Sequence, residues 1–471
     1  MTFDRDPASF RDSAGFVFSL GDRLLRLVSP SFGDDYDRLN ESGLYTELTE
    51  LGHLVPHREV AVSSPELPPA HRVLEPRRIP FWSYPYEWSF HQLRDAALLT
   101  LEIQRRALTR GLTLRDASAF NIQFLDGRPM LIDTLSLGRL DEERPWGGYR
   151  QFCQHFVAPL ALGATRGAAA GRLVGFGGQG LSLELGSRLV PRKTWLRPGL
   201  LLHLHLHARS AASASGERSS PATRPPRRMG LGAHLALVDS LRRCLESLRP
   251  PVPEGAWASY YGNTNYNDLA WRSKQEIVGE MLARLRLDAT LDLVFDLGAN
   301  TGEFSSIAAR VAGRVVAVDA DPEVTDRHYL DCRASGVRSV LPLCVDLLEP
   351  SPRCGWGLKE RRSLVDRGPA DLGLALALVH HLAIGANVPL PLVFEAFGSL
   401  CQRLLVEFVP RDDSQVIRML DLRRGQFADY CEDAFVAAMS RHFVVTERVP
   451  IPGSHRVLFL GTSRHGSTCR R

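Results

Sequence analysis

The sequence predicts an α/β protein of two domains, with a doubly wound parallel sheet in the C-terminal half and an α+β domain in the N-terminal half. From Leu291 onwards, short apolar runs alternate with helix-length segments, as a parallel sheet covered by helices requires. In the N-terminal half, short strands and a hairpin accompany one long amphipathic helix. The length of 471 residues suits two domains, since roughly 150 residues per domain is usual.

A change in composition separates the two predicted domains. The segment 209–230 is rich in serine, alanine, proline and arginine and has no apolar period, so it is predicted to be a flexible linker or a disordered insertion. Residues 1–208 then form the α+β domain, and residues 231–471 form the α/β domain. An amphipathic helix from Leu231 to Leu248 is predicted at the start of the second domain.

Composition predicts a soluble cytoplasmic protein that binds neither nucleic acid nor membrane. Hydrophobic residues make up 44% and charged residues 23% of the chain, which is ordinary for a globular protein. The net charge of +4 is modest and comes almost wholly from arginine, because the only lysines are Lys193, Lys274 and Lys359. No run reaches the ~18 apolar residues that span a bilayer, and the N-terminus lacks the apolar core of a signal peptide. The eight cysteines form no C-x-x-C motif and are expected to be reduced thiols.

The stretch from Leu291 to Ser305 has the pattern of a ligand-binding crevice. A short apolar run ends in Asp296, a turn with two glycines follows, and the next residues suit a helix. Ligands of open α/β sheets bind beside such turns, and glycine lets the backbone approach where a Cβ atom would collide with the ligand. A dinucleotide-binding turn has the pattern G-x-G-x-x-G, but here Asn300 holds the place of its middle glycine. An ordinary strand, turn and helix with no ligand is the alternative.

Polar residues also follow the next strands of this half. Asp319 ends the strand Val315–Val318, about 20 residues past the first glycine, where an acid commonly holds ribose hydroxyls. Asp346 ends the third strand, and acids at successive strand ends are a stronger signal than one acid, which alone could cap a helix. The fourth strand is followed by His380 and His381. Histidine titrates near neutrality, so either is a candidate base for an acceptor group, or else packs under the sheet.

The spacing D-x-G-x-x-x-G of Asp296, Gly298 and Gly302 resembles motif I of the class I S-adenosylmethionine (SAM) methyltransferases. The resemblance covers about Leu269 to Gly461 and implies a Rossmann-like SAM methyltransferase sheet, closed by a final antiparallel pair of strands. It implies a loop around the amino-acid end of SAM, an acid on the ribose and an acid on the adenine amino group. The cofactor-binding residues that it implies are Asp296, Gly298, Ala299, Asn300, Gly302, Asp319 and Asp346.

Two runs, LALALVHHLAI and LLVEFVPRDD, further resemble bacterial proteins grouped with the nodulation-associated methyltransferases. The function expected from these resemblances is transfer of a methyl group from SAM to an oxygen or nitrogen of a small-molecule or saccharide acceptor. His380 or His381 would act as the base where the acceptor carries a proton.

In the N-terminal half, the segment from Leu114 to Ser136 resembles the catalytic segment of the protein-kinase-like fold. Asp116 precedes Asn121 by five residues, and a hairpin then leads to Asp133. The resemblance implies a kinase-like α+β domain in which Asp116 is the base and Asn121 and Asp133 hold magnesium with ATP. The alternative is a hairpin whose polar residues only cap and turn the chain.

The N-terminal half departs from the kinase pattern in three ways, one of which is Leu114 at the place of the histidine that usually precedes the arginine and the acid. No lysine precedes Lys193 and no glycine-rich phosphate loop is present, so Arg26 is the nearest substitute, with Glu47 as its expected partner. A kinase-like phosphotransferase or ATP-binding protein with a regulatory SAM-binding domain is the second functional hypothesis, and a non-catalytic binding protein is the third. Farther along, LLHLHLH contains three histidines that could ligate a metal, although a partly exposed strand or helix is the simpler interpretation.

Overall fold

The computed structural model describes residues 3–172, 177–210, 228–251, 268–421 and 426–464. The chain divides into two compact units. The first unit contains residues 1–252 and 353–361, and the second contains residues 253–352 and 362–471. No helix in the described ranges is long and apolar enough to cross a membrane.

The first unit begins with an antiparallel sheet. Its strands are β1 (Phe3–Arg5), β2 (Gly15–Leu20), β3 (Arg23–Val28), β4 (His57–Glu59) and β5 (Arg72–Pro76). Their order is β1-β2-β3-β5-β4, and each neighbouring pair is antiparallel. The sequence from Gly15 to Val28 predicts two short strands around a Gly21–Asp22 turn, and β2 and β3 confirm it.

Glycine positions explain where the first helices of this unit begin and end. Leucines at helical spacing between Tyr36 and Leu54 suggest a single helix. The chain forms two helices instead, α1 (Gly33–Glu41) and α2 (Leu44–Glu50), because Gly43 between them has a φ of 72°. The long helix α3 (Phe90–Leu108) begins at a capping box in which the Ser89 hydroxyl accepts the Gln92 N–H.

Two short antiparallel pairs follow α3. They are β6 (Leu112–Leu114) with β9 (Leu137–Arg139), and β7 (Ile122–Leu125) with β8 (Arg128–Leu131). The predicted hairpin turn lies between β7 and β8, where Asp126 and Gly127 have φ values of 52° and 72°. Positive φ at both central residues defines the tight hairpin turn that an Asp-Gly pair favours.

The remaining helices of the first unit include one that we expected in the second. The helices are α4 (Tyr149–Phe152), α5 (Ala158–Arg166), α6 (Ala168–Arg172), α7 (Leu183–Leu189), α8 (Pro198–Leu200) and α9 (Leu231–Glu246). Helix α9 packs along α3, with ion pairs of 2.6 Å from Arg105 to Asp239 and 2.7 Å from Arg242 to Glu102. The units therefore divide at residue 252, and not across the segment 209–230, of which residues 211–227 lie outside the described ranges.

The second unit is built on a mixed sheet whose strands are mostly parallel. Its strands are β10 (Leu293–Leu297), β11 (Arg314–Asp319), β12 (Val340–Cys344), β13 (Leu372–Ala375), β14 (Arg403–Phe408), β15 (Phe443–Pro450) and β16 (Val457–Ser463). The order is β12-β11-β10-β13-β14-β16-β15, and β16 is antiparallel to both of its neighbours. Strand order reverses between β10 and β13, which is the position where open α/β sheets bind ligands.

Helices connect these strands. They are α10 (Asp268–Asp288), α11 (Glu303–Ala308), α12 (Pro322–Ser335), α13 (Leu390–Leu400), α14 (Ser414–Asp421) and α15 (Glu432–Met439). The sequence from Phe435 to Val449 favours the first strand of the last pair, but Phe435 lies in α15. Its ring contacts Phe394 at 5.0 Å and Phe408 at 5.2 Å between centroids. These aromatic contacts are made between distant parts of the chain, and they favour a buried helix at this position.

Candidate active site

The loop between β10 and α11 has a left-handed backbone at three residues. The φ angle is 73° at Gly298, 49° at Asn300 and 88° at Gly302. Asparagine is one of the few residues besides glycine that tolerate this region, because its side chain bonds to nearby backbone. The Asn300 Oδ1 atom accepts the Thr301 N–H at 2.8 Å. The Asn300 side chain, which stands where a dinucleotide-binding turn has its middle glycine, is therefore hydrogen-bonded to its own loop.

Side chains of the protein lie next to both glycines of this loop. A Cβ atom at Gly302 would come within 1.9 Å of His328 Nε2, and one at Gly298 within 3.1 Å of Leu378. We expected ligand approach to be the reason for these glycines. The structure shows a second reason at Gly302, where positive φ and the packing of His328 exclude a larger residue.

The carboxylate of Asp319, at the end of β11, is hydrogen-bonded to the loop. Its Oδ2 atom accepts the Asn300 N–H at 2.8 Å, and its Oδ1 atom accepts the Asp321 N–H at 3.0 Å. Each oxygen keeps a lone pair for a further donor. Burial raises the pKa of Asp319, while the backbone N–H groups oppose that rise. The neighbouring Asp321 caps α12 by accepting the Glu323 and Val324 N–H groups.

Asp296 is buried under the loop and bonds to the helix that follows it. The Ser305 hydroxyl donates to its Oδ2 atom at 2.6 Å. Burial raises the pKa of Asp296 to about 6, with a smaller contribution from the charge of Asp319, while Ser305 and the charge of Lys274 oppose the rise. The side chain of Asp296 therefore ties β10 to α11 and holds the loop between them.

Asp346 and Ala299 complete this edge of the sheet. Asp346 lies two residues beyond β12, and its Oδ1 atom accepts the Leu348 N–H at 2.9 Å. The Ala299 N–H donates to the Val318 carbonyl at 3.0 Å, which attaches the loop to β11. Within the described ranges, Asp319 and Asp346 accept hydrogen bonds from backbone and pair with no cation. Both carboxylates therefore supply negative charge to the crevice.

The turn after β13 has three unusual features. Ala377 has a φ of 53°, a region that residues other than glycine seldom adopt. His381–Gly385 forms a π-helical turn, which is frequent at functional sites. His380 is buried, and neither of its ring nitrogens has a hydrogen-bond partner in the described part of the chain. The half-buried His381 ring lies 4.2 Å from the His380 ring between centroids.

A buried ion-pair network at the same edge was not predicted from the sequence. Lys274 Nζ lies 2.6 Å from one carboxylate oxygen of Glu407, and Arg456 Nη1 lies 3.3 Å from the other. Arg456 Nε lies 2.8 Å from Asp413 Oδ2. The sequence signal that could have revealed it is an acid inside the apolar strand LLVEFV, because a fully buried carboxylate needs a paired charge.

This network changes the electrostatics at the two histidines. Burial is the largest cause that lowers the pKa of His380 well below its ordinary value, and the charges of His381, Arg456 and Lys274 add to it. Burial and Arg456 lower the pKa of His381 as well. Both imidazoles are therefore neutral at pH 7, and protonation of either one is opposed by cations nearby.

In the first unit, the three candidate residues of the kinase-like segment do not form a metal site. Two of them are hydrogen-bonded or paired within the protein. The Asp116 carboxylate accepts the Ser118 N–H at 2.9 Å. Asp133 accepts the Leu135 N–H at 3.1 Å and pairs with Arg26 at 2.6 Å. Asn121 has a buried side-chain amide nitrogen without a partner among the described residues. Over those residues, no three histidine, cysteine or acidic side chains are grouped to hold a metal ion.

Arg26 does not have the partner that we expected. Glu47 pairs with Arg106 and Arg110 instead, while Arg26 bridges Asp133 and Asp12, the latter at 2.9 Å. Burial raises the pKa of Asp133, which Arg26 opposes and the nearby carboxylates of Asp12 and Asp116 reinforce. The acids and the arginine therefore form one internally paired cluster.

The three histidines of LLHLHLH lie in and beside a π-helical segment, Leu201–Leu206, and not on a strand. His203 bonds to the Tyr149 hydroxyl and the Ser240 hydroxyl, each at 2.9 Å. His205 bonds to Ser187 and Thr194, and His207 stacks on Tyr149. Both ring nitrogens of His203 and of His205 are thus used in hydrogen bonds. Tyr260, Tyr261 and Tyr266 precede the second sheet in the sequence and are candidates to close over a cofactor, but they lie outside the described ranges.

One curated relative matches the chain over nearly its whole length. Nodulation protein NoeA of Rhizobium meliloti (strain 1021) is 33% identical over 460 residues, which cover 97% of this chain and 95% of the relative. The chain belongs to the NoeA family. The match to NoeA spans both units. No family model matches the sequence.

Solved structures resemble less than half of this NoeA family member. Magnesium protoporphyrin IX methyltransferase (ChlM) from Synechocystis PCC 6803, with bound SAH, is 16% identical and covers 44% of this chain and 92% of its own, with a TM-score of 0.32. N-methyltransferase NodS from Bradyrhizobium japonicum WM9, in complex with SAH, is 15% identical and covers 45% of this chain and 100% of its own, also with a TM-score of 0.32.

Proposed function

We propose that the second unit is a SAM-dependent methyltransferase that acts on an oxygen or nitrogen of a small-molecule or saccharide acceptor. The observation that carries the proposal is the set of acids at the carboxyl ends of β10, β11 and β12, beside a loop with positive φ at the point where strand order reverses. SAM has a cationic sulfonium, an ammonium group and ribose hydroxyls, and it has no phosphate. Unpaired carboxylates attract such a ligand and repel a pyrophosphate.

The residues present fit SAM in the following roles. Asp319 has a lone pair on each oxygen for the ribose hydroxyls, and Asp346 accepts the adenine amino group. The loop from Gly298 to Gly302 surrounds the amino-acid end, and Asp296 holds that loop through Ser305. Bound SAM supplies an electrophilic methyl group, so the protein has only to orient an acceptor in line with it and to exclude water.

His380 and His381 are the proposed contacts on the acceptor side. His381 is the more exposed of the two, while His380 is 1% exposed and has no partner for its ring nitrogens among the described residues. A neutral imidazole can orient the acceptor by donating or accepting one hydrogen bond. Where the acceptor carries a proton, His381 is the proposed base.

Calorimetric titration of the full-length chain with SAM tests this function. We expect wild-type protein to bind SAM and Asp319→Asn to bind it at least ~10-fold more weakly, because hydrogen bonds to a charged group are worth ~1.5–3 kcal/mol. Asp321→Asn is the matched control: it changes an acid two residues away and keeps a helix cap. Equal affinity of wild type and Asp319→Asn would remove the ribose assignment, and no SAM binding by wild type would remove the function.

A second candidate function is nucleotide binding or phosphotransfer by the first unit, which we propose has a kinase-like fold. Its support is the order of elements: an antiparallel sheet, two helices, the long helix α3, and then Asp116, Asn121 and Asp133 around the hairpin β7–β8. The pairing of Arg26 with Asp133 opposes magnesium binding there, since the cation place is taken. Titration of the full-length chain with Mg-ATP decides between the two candidates, because nucleotide binding without SAM binding favours the second.

A further inference from the structure

The segment from Leu183 to Arg209, in the first unit, buries histidines and exposes leucines. Two histidines of the LLHLHLH run, His203 and His205, are fully buried. Five leucines of the segment are exposed: Leu185, Leu189, Leu196, Leu202 and Leu206. Leu196 is the most accessible of them, at 85%. Burial is favourable for a leucine side chain and costly for an imidazole, so this inverted arrangement indicates that the leucines have a partner outside the chain.

His205 joins three parts of the segment into one layer. Its Nδ1 atom lies 2.7 Å from the Ser187 hydroxyl on α7, and its Nε2 atom lies 2.9 Å from the Thr194 hydroxyl in the 3₁₀ turn Arg192–Leu196. Its ring also stacks on Trp195, at 4.3 Å between centroids. Because His205 lies inside the layer, the exposed leucines of α7, of the turn and of the π-helical segment lie on its outer side. We call these five leucines the leucine face.

Basic residues accompany the leucine face in the same segment. All five cations of the segment are exposed: Arg188, Arg192, Lys193, Arg197 and Arg209. Its one carboxylate, Glu184, pairs at 3.9 Å with Arg150, which lies outside the segment. Residues 183–209 therefore have a net charge of +4, and the whole chain also has +4, so all other residues together sum to zero. Exposed leucines combined with concentrated positive charge are the pattern of segments that bind at a membrane–water interface.

We propose that the leucine face and its five cations bind the surface of a membrane that contains anionic lipids. The cations attract the anionic headgroups, and the leucines enter the boundary between headgroups and acyl chains. Such peripheral binding requires no helix that crosses the bilayer. The inference goes beyond the proposed function and does not depend on it. Whole-chain composition predicted no membrane partner because a net charge of +4 is small for 471 residues, whereas this charge is concentrated beside exposed leucines.

Three other partners fit this surface less well. A second copy of the chain presents the same charge of +4 and is repelled. The core of a protein–protein interface is depleted in charged residues, whereas arginines and a lysine lie between these leucines in the sequence. Nucleic acid contacts cations through its phosphates and stacks its bases on aromatic rings, so the five leucines have no role toward it.

Flotation of the full-length chain with lipid vesicles tests the proposal. One set of vesicles contains phosphatidylcholine alone, and the other contains equal parts of phosphatidylcholine and phosphatidylglycerol. We expect at least ~10-fold tighter binding to the vesicles with phosphatidylglycerol, and weaker binding as the salt concentration rises. No binding to these vesicles, or equal binding to both sets, would overturn the proposal.

A leucine variant with a matched control locates the binding surface. Leu196→Ser with Leu206→Ser should weaken binding to the phosphatidylglycerol vesicles ~10-fold, because two side chains can no longer be buried in the lipid boundary. Leu287→Ser with Leu392→Ser removes two exposed leucines of the second unit, 86% and 53% accessible, and should change the affinity by less than about twofold. Equal effects of the two double variants would show that the leucine face is not the binding surface.

A charge variant with its own control tests the cations. Arg192→Gln with Lys193→Gln should weaken binding ~10-fold or more, because each removes a charge beside the leucine face. Arg310→Gln with Arg338→Gln removes the same charge from exposed positions of the second unit and should stay within about twofold of wild type. Equal losses in these two variants would mean that only the net charge of the chain matters, which contradicts a specific surface.

Two further measurements distinguish the other partners. Light scattering that shows a dimer in wild type and a monomer in Leu196→Ser with Leu206→Ser would assign the leucine face to self-association and overturn the proposal. Binding of duplex DNA as tight as that of the vesicles, and unchanged in the leucine variant, would overturn it in favour of nucleic acid. SAM affinity should equal that of wild type in all four variants, so a failure of the proposed function appears in the SAM titration and not with the vesicles. If a variant does not fold, the preference of wild type between the two sets of vesicles still decides the proposal.

Discussion

The acids of the two units differ in what neutralises them. In the first unit, Asp133 and Asp12 both pair with the guanidinium of Arg26, so each of them has a cation partner within the protein. In the second unit, Asp319 and Asp346 accept backbone N–H groups and have no cation partner in the described part of the chain. A carboxylate held by backbone donors keeps its net charge for a ligand, whereas one paired with arginine does not. The acids of both units lie at the end of a strand or a hairpin. What distinguishes the two sets of acids is whether the partner of the carboxylate is a cation or a backbone N–H group.

The largest expected effect comes from a substitution in the loop between β10 and α11, which is hydrogen-bonded to Asp319 of the second unit. Gly302→Ala should destabilise the second unit by ~3–4 kcal/mol, because it adds the strain of φ at 88° to a contact of 1.9 Å with His328. Denaturant unfolding measures the change. Gly336→Ala is the matched control, since φ there is 71° with no atom within 4 Å of an added Cβ, and it should lose only ~1 kcal/mol. Equal losses in the two variants would show that His328 does not pack on Gly302.

The next largest effect comes from removing the arginine that pairs with the acids of the first unit. Arg26→Met should lose ~3 kcal/mol of unfolding free energy, because it leaves Asp133 and Asp12 facing each other without a cation. Adding Asp133→Asn to that variant should restore about half of the loss, and the double-mutant cycle gives the coupling energy. Additive losses would mean that the pair contributes little and that the first unit's acids are not neutralised by Arg26.

A third prediction compares stability with pH and concerns Asp296. Its pKa of about 6 lies above its ordinary value of 3.8, so the folded state prefers the protonated form. The contribution of Asp296 to stability is therefore present at low pH and is lost as pH rises from about 4 to 6. Asp296→Asn should remove this decline. The unfolding free energy of the variant, measured relative to that of wild type, should therefore rise by ~1–2 kcal/mol between pH 4 and a pH above 6. Parallel pH profiles for the two proteins would contradict the assignment of the raised pKa to this residue.

The smallest expected effect provides a reference for the buried pairs. Arg284→Met removes one partner of an exposed ion pair with Glu447, in which 58% of the arginine side chain is accessible. Thermal unfolding should change by no more than ~0.5 kcal/mol, because water already solvates both charges. A loss comparable to that of Arg26→Met would show that exposure does not distinguish these pairs.

Local patterns in the sequence predicted the elements that depend on near neighbours. The hairpin β7–β8 follows from the Asp126–Gly127 turn, and α3 begins at the Ser89 cap, because both signals lie within a few residues of what they determine. The parallel strands of the second unit and the acids at their ends also followed from the alternation of apolar runs, whereas the order of those strands in the sheet came from the structure. The roles of those acids toward a cofactor remain predictions.

Contacts between residues far apart in the sequence could not be predicted from local sequence patterns. Lys274 and Glu407 are 133 residues apart, so nothing near either one in the chain indicated their pairing. The partner of Glu47 was assigned wrongly for the same reason, and α9 was placed in the wrong unit because amphipathicity shows that a helix has an apolar face but not what covers that face. The helix at Phe435 was missed for the same reason, since its aromatic partners Phe394 and Phe408 belong to other elements.

By itself, the sequence determined the mixed α/β sheet of the second unit, its glycine-bearing loop and the strand-end acids, since periodicity and turn chemistry act over short separations. Only the tertiary structure decided which charges neutralise one another: Arg26 with Asp133 in one unit, and Lys274 and Arg456 with Glu407 in the other. Electrostatic pairing depends on distance in space and on burial, and neither is written in the spacing of residues along the chain.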